Sequence, residues 1–230
     1  MGKNIVTDAE KIKQMADVDA CGIVAVAETK GTPLYDSVCA LLPEAKSIVV
    51  LGMEIFSEVL DLVTPEKRFG EAAAGDLFGP HLDYLSGRLN RGIYILANQY
   101  RGSGFRSIPL PSQGTPTDTR FQRGLISFKH AAEFAGLGKI GYNSLVVSPQ
   151  FGPRMRLACL LTAAVLPPTS RLEQNPCDGC GKCVEHCPAG ALSTPDADQP
   201  YAINKFACAS FRQGATACAT CMSVCPVARS

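Results

Sequence analysis

Hydrophobic and polar positions recur along this chain with two different periods, and the switches between them mark its elements. Ile5, Ile12, Met15 and Ala16 fall on one side of a helical wheel over residues 3–20, with Lys and Glu opposite, so a first helix is expected there. Cys21–Ala27 (CGIVAVA) and Ser47–Leu51 (SIVVL) are short apolar runs rich in β-branched residues, the pattern of buried strands. Between them Gly31-Thr32-Pro33 breaks the chain, and Leu34–Leu42 reads as a short helix ending before Pro43. The strongest helical signal is Pro80–Tyr100. There Leu82, Leu85, Leu89, Ile93, Leu96 and Tyr100 share a face, and Pro80 suits a first turn. This is the expected main core helix despite Gly87 and Gly92, with His81 a solvated residue of its first turn.

Other stretches carry weaker patterns. Glu54–Gly79 mixes charged and small residues around Pro65 and is expected to be a loop or broken helix over the core. Phe105–Leu110 reads as extended. Pro109–Thr119, rich in Pro, Ser, Thr and Gly, reads as a long loop and a candidate lid. Ser127–Ala135 is helical, Gly136–Gly141 is a glycine-rich turn, and Asn143–Ser148 and Arg156–Val165 read as two more strands. Their short connection predicts an antiparallel pair. The imperfect alternation of strands and helices favours an α+β fold, with helices around a mixed sheet, over a regular doubly wound one. Pro167-Pro168 marks a boundary, which divides the chain into 1–168 and a small domain, 169–230.

Composition narrows the function classes. The 230 residues are 46% hydrophobic, enough for a sizeable core, and 22 basic residues stand against 21 acidic ones for a net charge of +1. A nucleic-acid partner, which would call for clustered Lys and Arg, receives no support from that balance. No window approaches the eighteen or more apolar residues of a membrane span. The N-terminal residues carry neither an apolar leader nor twin arginines, so a cytoplasmic location is expected, in a setting poor in oxygen.

The cysteines change the picture most. Cys177-Asp178-Gly179-Cys180-Gly181-Lys182-Cys183-Val184-Glu185-His186-Cys187-Pro188 reads C-x2-C-x2-C-x3-C-P, the spacing of a bacterial-type iron–sulfur run. A second set follows: Cys208, then Cys218, Cys221 and Cys225-Pro226. By analogy with ferredoxins, Cys177, Cys180, Cys183 and Cys225 would hold one 4Fe–4S cluster, and Cys187, Cys208, Cys218 and Cys221 the other. Zinc favours closed sites of two C-x2–4-C knuckles and leaves the two C-x3-C-P endings unexplained. Disulfides would need an oxidising compartment. Eight of the eleven cysteines fit the interleaved pattern; Cys21, Cys39 and Cys159 lie in apolar runs and read as small core residues.

Gly136–Gly141 spells G-x-G-x-x-G, but a dinucleotide fingerprint must follow a strand and open a helix, and here a helix precedes and a strand follows. A different match covers this region. The run His130–Leu157 (HAAEFAGLGKIGYNSLVVSPQFGPRMRL) resembles a segment shared by epoxyqueuosine reductases and corrinoid reductive dehalogenases, A-G-L-G-x-x-G-x-N/G-x-L-L-I-x-P-x-x-G ahead of a two-cluster module. The likeness covers about residues 80–230. The Gly152-Pro153-Arg154 ending is similar to the dehalogenases, and the displaced Cys208 to the epoxyqueuosine reductases.

The resemblance implies a nitroreductase-like domain that holds cobalamin base-off, reduced by the nearer cluster. Leu137, Gly138, Gly141, Asn143, Pro149 and Gly152 match the corrinoid-contacting segment, where glycines would let backbone amides approach the macrocycle. The absence of a D-x-H-x-x-G segment agrees with base-off binding. Arg154 matches a dehalogenase arginine that could anchor an anionic substrate or intermediate. Asp118 and Tyr142 are the candidates for proton delivery, against bland readings as a loop cap and a packed ring. Two positions depart from the families: Lys139 stands where Trp or Glu is usual, and Tyr142 where Lys or Arg is usual.

Three functions follow as expectations: a cobalamin-dependent iron–sulfur reductase of a small substrate, an electron-transfer protein that reduces a partner's corrinoid, or an FMN-dependent reductase. Each would draw electrons from a low-potential donor such as ferredoxin or flavodoxin, and a homodimer stays open. The repeat domain of epoxyqueuosine reductases and the twin-arginine leader of respiratory dehalogenases are not in this sequence, so it reads as a minimal relative of both, and a substrate other than a tRNA or an organohalide stays open.

Overall fold

The computed structural model describes residues 5–63, 77–196, 198–214 and 218–228. The chain forms two compact units, each built from separated segments. One comprises Met1–Met53, Leu85–Leu137 and Arg156–Leu172; the other comprises Glu54–Tyr84, Gly138–Met155 and Glu173–Ser230.

The first unit is organised on a four-stranded sheet, β1 (Ala20–Ala25), β2 (Ser47–Glu54), β8 (Met155–Thr162) and β3 (Ser107–Leu110), in that spatial order. β1 pairs antiparallel with β2, Ala25 opposite Ser47, and β3 with β8, Ser107 opposite Thr162. Between β2 and β8, Lys46 N donates to Thr162 O and Ile55 N to Arg154 O, which runs that pair antiparallel too. The sheet is therefore antiparallel where a mixed one was expected. The expected partnership of the two late strands fails as well. β7 (Val146–Val147) pairs with β6 (Lys139–Ile140) in a small hairpin, while β8 enters the main sheet. Apolar runs mark strands but do not encode partners, and β8, buried from Ala158 to Thr162, fits only a central position.

Helix α1 (Ala9–Ala16) is shorter than the 3–20 window because Asp8 caps it, accepting from Lys11 N at 3.0 Å, and Asp17 turns left-handed at φ 54°. β1 likewise stops early. Its apolar run continues as a 3-10 turn, Val26–Thr29, in which Thr29 Oγ1 donates to Val26 O. α2 (Pro33–Leu41) begins one residue before the expected Leu34, because Thr32 caps it by accepting from Tyr35 N and Pro33 fits the first turn instead of breaking the chain.

α4 (Phe78–Gly102), which follows the short α3 (Ser57–Asp61) in the chain, is the main helix. Leu89, Ile93, Leu96 and Tyr100 are all fully buried, and each such side chain contributes roughly 1.5–3 kcal/mol by leaving water. Tyr100 satisfies its hydroxyl on Val6 O at 2.7 Å. α5 (Phe128–Phe134) completes this unit, together with the two-residue strands β4 (Thr117–Asp118) and β5 (Arg123–Gly124), which pair within the 109–124 region. Among the remaining cysteines Cys159 is fully buried in β8, whereas Cys21 and Cys39 keep partial exposure.

The second unit holds the α3 residues, the β6–β7 hairpin and the cysteine-bearing segment. That segment carries α6 (Lys182–Glu185), β9 (Leu192–Ser193) paired antiparallel with β10 (Ala202–Ile203), α7 (Lys205–Gly214) and α8 (Thr220–Ser223). α8 packs on both α3 and α6. Of Glu54–Gly79, expected as a loop or broken helix, residues 64–76 lie outside the described residues. The flanking parts are α3 and the first turn of α4. His81, expected to be solvated, accepts from Phe56 N at 3.2 Å and lies against the Phe56 ring. Its burial lowers its pKa below the ordinary histidine value. No helix among the described residues is long and apolar enough to cross a membrane.

Candidate metal centre

Two asparagine-type side chains shape the loop that carries the first cysteines. Asn175 Oδ1 accepts from Cys177 N and Asp178 Oδ1 from Cys180 N, both at 3.0 Å, so each thiol-bearing residue is preceded by its own Asx turn. Gly179 and Gly181 take positive φ (76° and 75°), curling the chain back on itself before α6. The result is a hollow whose wall includes Cys177, Cys180, Cys183 and Cys225. Among the described residues no three His, Cys, Asp or Glu side chains converge tightly enough for a single ion.

Four of the eight thiols are pushed up, and the thiols that add to each shift fall mostly within its own set. Burial pushes Cys183 up to about 11, and the neighbouring Cys177 and Cys225 add to the shift. Cys225 is raised by burial and by Cys177 and Cys180, against the opposing charge of Arg154. In the other group, burial and then Cys218, Cys208, Cys183 and Cys187 push Cys221 up to about 12. Cys208 is raised by burial, with Cys218 and Cys187 adding to the effect and Arg212 opposing it. Burial first, and neighbouring thiols second, make Cys183, Cys208, Cys221 and Cys225 resist ionisation. A multinuclear cation reverses that penalty, since its positive charge favours thiolates. The donor chemistry thus fits two sulfur-ligated centres. Cys183 also acts on Cys221, so the two sets lie within each other's electrostatic reach.

The other sequence candidates are placed as follows. Asp118 sits in β4 and is gripped by Arg120 through Nε (3.1 Å) and Nη2 (2.8 Å), which holds its carboxyl below the usual carboxylate range. In this arrangement it is an ion-pair partner that keeps its negative charge at neutral pH. Tyr142 lines the cysteine hollow, its hydroxyl end against Gly179. Asn143 is 4% exposed and caps the β6–β7 turn, its Oδ1 accepting from Leu145 N at 3.0 Å. Arg154 is 3% exposed. His130 contacts Ser127 Oγ at 2.6 Å and the His186 ring contacts Lys182 O at 3.0 Å, so both are local hydrogen-bonding residues.

Leu137 is half-buried and Pro149 exposed, while the three glycines of the segment are packed by the chain itself. A β-carbon would strike the Val147 carbonyl at Gly138, Val147 and Cys177 at Gly141, and the Val227 carbonyl at Gly152. Close packing against Val147, Cys177 and Val227 explains why these positions are glycine. The sequence reading missed this link between the Gly138–Gly152 stretch and the cysteine segment. It also missed the Asx turns, although the repeated Asn/Asp-x-Cys spacing at 175–180 was a visible signal.

Residues 176–228 match the family model of the 4Fe-4S dicluster domain. The epoxyqueuosine reductase of Bacillus subtilis is 28% identical over 205 residues, which cover 81% of this chain and 48% of that protein. A tetrachloroethene reductive dehalogenase of Dehalobacter restrictus is 33% identical over 111 residues, 40% of this chain and 20% of that one. Among solved structures, a reductive dehalogenase described in terms of B12-dependent dehalogenation superposes with a TM-score of 0.72 at 19% identity, covering 100% of this chain and 34% of its own. The chain is thus similar to both groups and shares the fold of the solved one, while spanning about half of these relatives' length or less.

Proposed function

We propose that this chain is an iron–sulfur reductase in which Cys177, Cys180, Cys183 and Cys225 hold one 4Fe–4S cluster and Cys187, Cys208, Cys218 and Cys221 hold a second. The observation that carries the reading is the match of residues 176–228 to the 4Fe-4S dicluster domain, together with the hollow walled by Cys177, Cys180, Cys183 and Cys225. Such clusters, when bound, carry single electrons at low potential. The chain's own contribution is to supply eight thiolates and to shape their surroundings. The Asx turns at Asn175 and Asp178 orient the first loop, and Tyr142, Asn143 and Pro226 wall the hollow and limit water. Burial and hydrogen bonding of this kind set a cluster's potential.

The finer reading is that 169–230 is a ferredoxin-like module serving a nitroreductase-like part, 1–168. Base-off cobalamin would be the electron acceptor, and an unidentified small molecule the substrate. It is supported by the likeness of His130–Leu157 to both groups of relatives, and it includes a ferredoxin or flavodoxin donor and a cytoplasmic setting. The packed faces of Gly138, Gly141 and Gly152 favour a second reading, in which the corrinoid belongs to a partner that this chain reduces.

Anaerobically reconstituted protein, mixed with hydroxocobalamin and desalted, tests both. About eight iron with one retained cobalt and a base-off spectrum is the expected result. Eight iron without cobalt would leave the electron carrier, or a flavin reductase if FMN absorbance appears, and would remove every corrinoid role above.

A further inference from the structure

Arg154 is enclosed, with 3% exposure, yet only one of its three guanidinium nitrogens is engaged. Nη2 donates to Ala228 O at 2.9 Å and approaches Glu54 Oε1 at 3.4 Å. Nε and Nη1 are buried without a hydrogen-bond partner. Charged donors left unpaired in an interior are among the costliest defects a fold can carry, so their presence calls for an acceptor. An anionic substrate is a poor answer, because the guanidinium has almost no open surface.

The surroundings point to another acceptor. Ala228 lies three residues beyond Cys225, and Gly152 packs against the Val227 carbonyl. The Gly152–Arg154 corner therefore grips the chain immediately downstream of the fourth cysteine of one set.

We infer that Arg154 sets the reduction potential of the centre held by Cys177, Cys180, Cys183 and Cys225: its buried charge and its unpartnered Nε and Nη1 stabilise the form that has gained an electron. The inference rests on the two-cluster reading. Reduction adds one negative charge close to a fixed positive one, in surroundings that screen poorly, so the guanidinium favours the reduced state. The Glu54 carboxylate offsets part of that effect. The contacts of Arg154 lie on the chain just beyond Cys225, whereas Arg212 is the cation beside Cys208 of the second set, so Arg154 governs the potential of the first set alone. Arg154 is a positioning residue in this scheme, acting through Cys225.

Redox titration with electron paramagnetic resonance, on reconstituted wild type, Arg154→Gln and Arg154→Lys, tests this. In Arg154→Gln one cluster should become about tenfold harder to reduce, 59 mV for a one-electron couple, while the other stays in place. Arg154→Lys, which keeps the charge and loses the fork, should shift less. Wild type that takes up no iron would end the two-cluster reading and this inference together. Two clusters in every protein, with both potentials unmoved, would overturn this inference alone. Should Arg154→Gln fail to assemble, Glu54→Gln carries the test. Loss of the offsetting carboxylate should make the same cluster easier to reduce, and an unchanged potential there would equally overturn it.

Discussion

Cys208 stands ten residues ahead of Cys218 in the chain, and nothing local explains its use. Cys218 and Cys187 lie near enough to add to the rise that burial gives its thiol, in keeping with the proposed second set. Asn204 starts α7, accepting from Ala207 N at 3.0 Å, and Cys208 N donates to Asn204 O, so the thiol is carried on the first turn of an ordered helix. Replacing Cys208 by Ala should remove about half of the iron and sulfide after anaerobic reconstitution, since the other four ligands are untouched. Retention of the full complement would exclude Cys208 as a ligand. Asp118 shows the opposite lesson at this scale. Read from sequence as an acid in a loop, it is paired with Arg120 two residues away, and a neighbour that close was visible in the sequence.

The elements depend on a few residues that stop or turn them. α5 ends where Gly136 takes φ 74°, with Leu137 N donating back to Ala132 O and Gly136 N to Glu133 O. A side chain at Gly136 would also meet the Ser170 carbonyl. Gly136→Ala should therefore lose about 2–4 kcal/mol in denaturant unfolding, from left-handed strain and local overpacking combined. A loss below about 0.5 kcal/mol would show that the corner relaxes freely, as an exposed surface position would. The β6–β7 hairpin was harder to foresee. Its strands are two residues long, and β7 was read as one end of a longer strand. Its turn rests on Asn143, whose side chain accepts from Leu145 N, and on Ser144 at φ 62°.

At the scale of the molecule, the two units have very different internal support. The first has an eight-residue central strand and a long helix burying Leu89, Ile93, Leu96 and Tyr100. The cysteine segment has two four-residue helices, the ten-residue α7 and a pair of two-residue strands, short elements that offer little packing of their own. Chelating the iron from reconstituted protein should abolish amide protection across 177–228 and leave β1, β2, β8 and α4 protected in hydrogen exchange. Unchanged protection in 177–228 would mean that this segment folds on its own core, with metal adding nothing to its stability.

Local chemistry determined what could be read from the sequence by itself. Spacing along the chain is enough to recognise C-x2-C-x2-C-x3-C-P, the break at Gly31–Pro33 with a short helix after it, and the 80–100 helical face, because each depends on residues a few positions apart. Tertiary structure alone decided what depends on distant pairs. Strand partners were one such case, β8 joining β2 and β3 while β7 folded onto β6. The packing of Gly141 on Cys177 and of Gly152 on Val227 was another. The enclosure of Arg154 beside Ala228, 74 residues further on, was a third. Such contacts arise from burial and shape matching across the folded chain, and a one-dimensional pattern of apolar and polar residues does not record them.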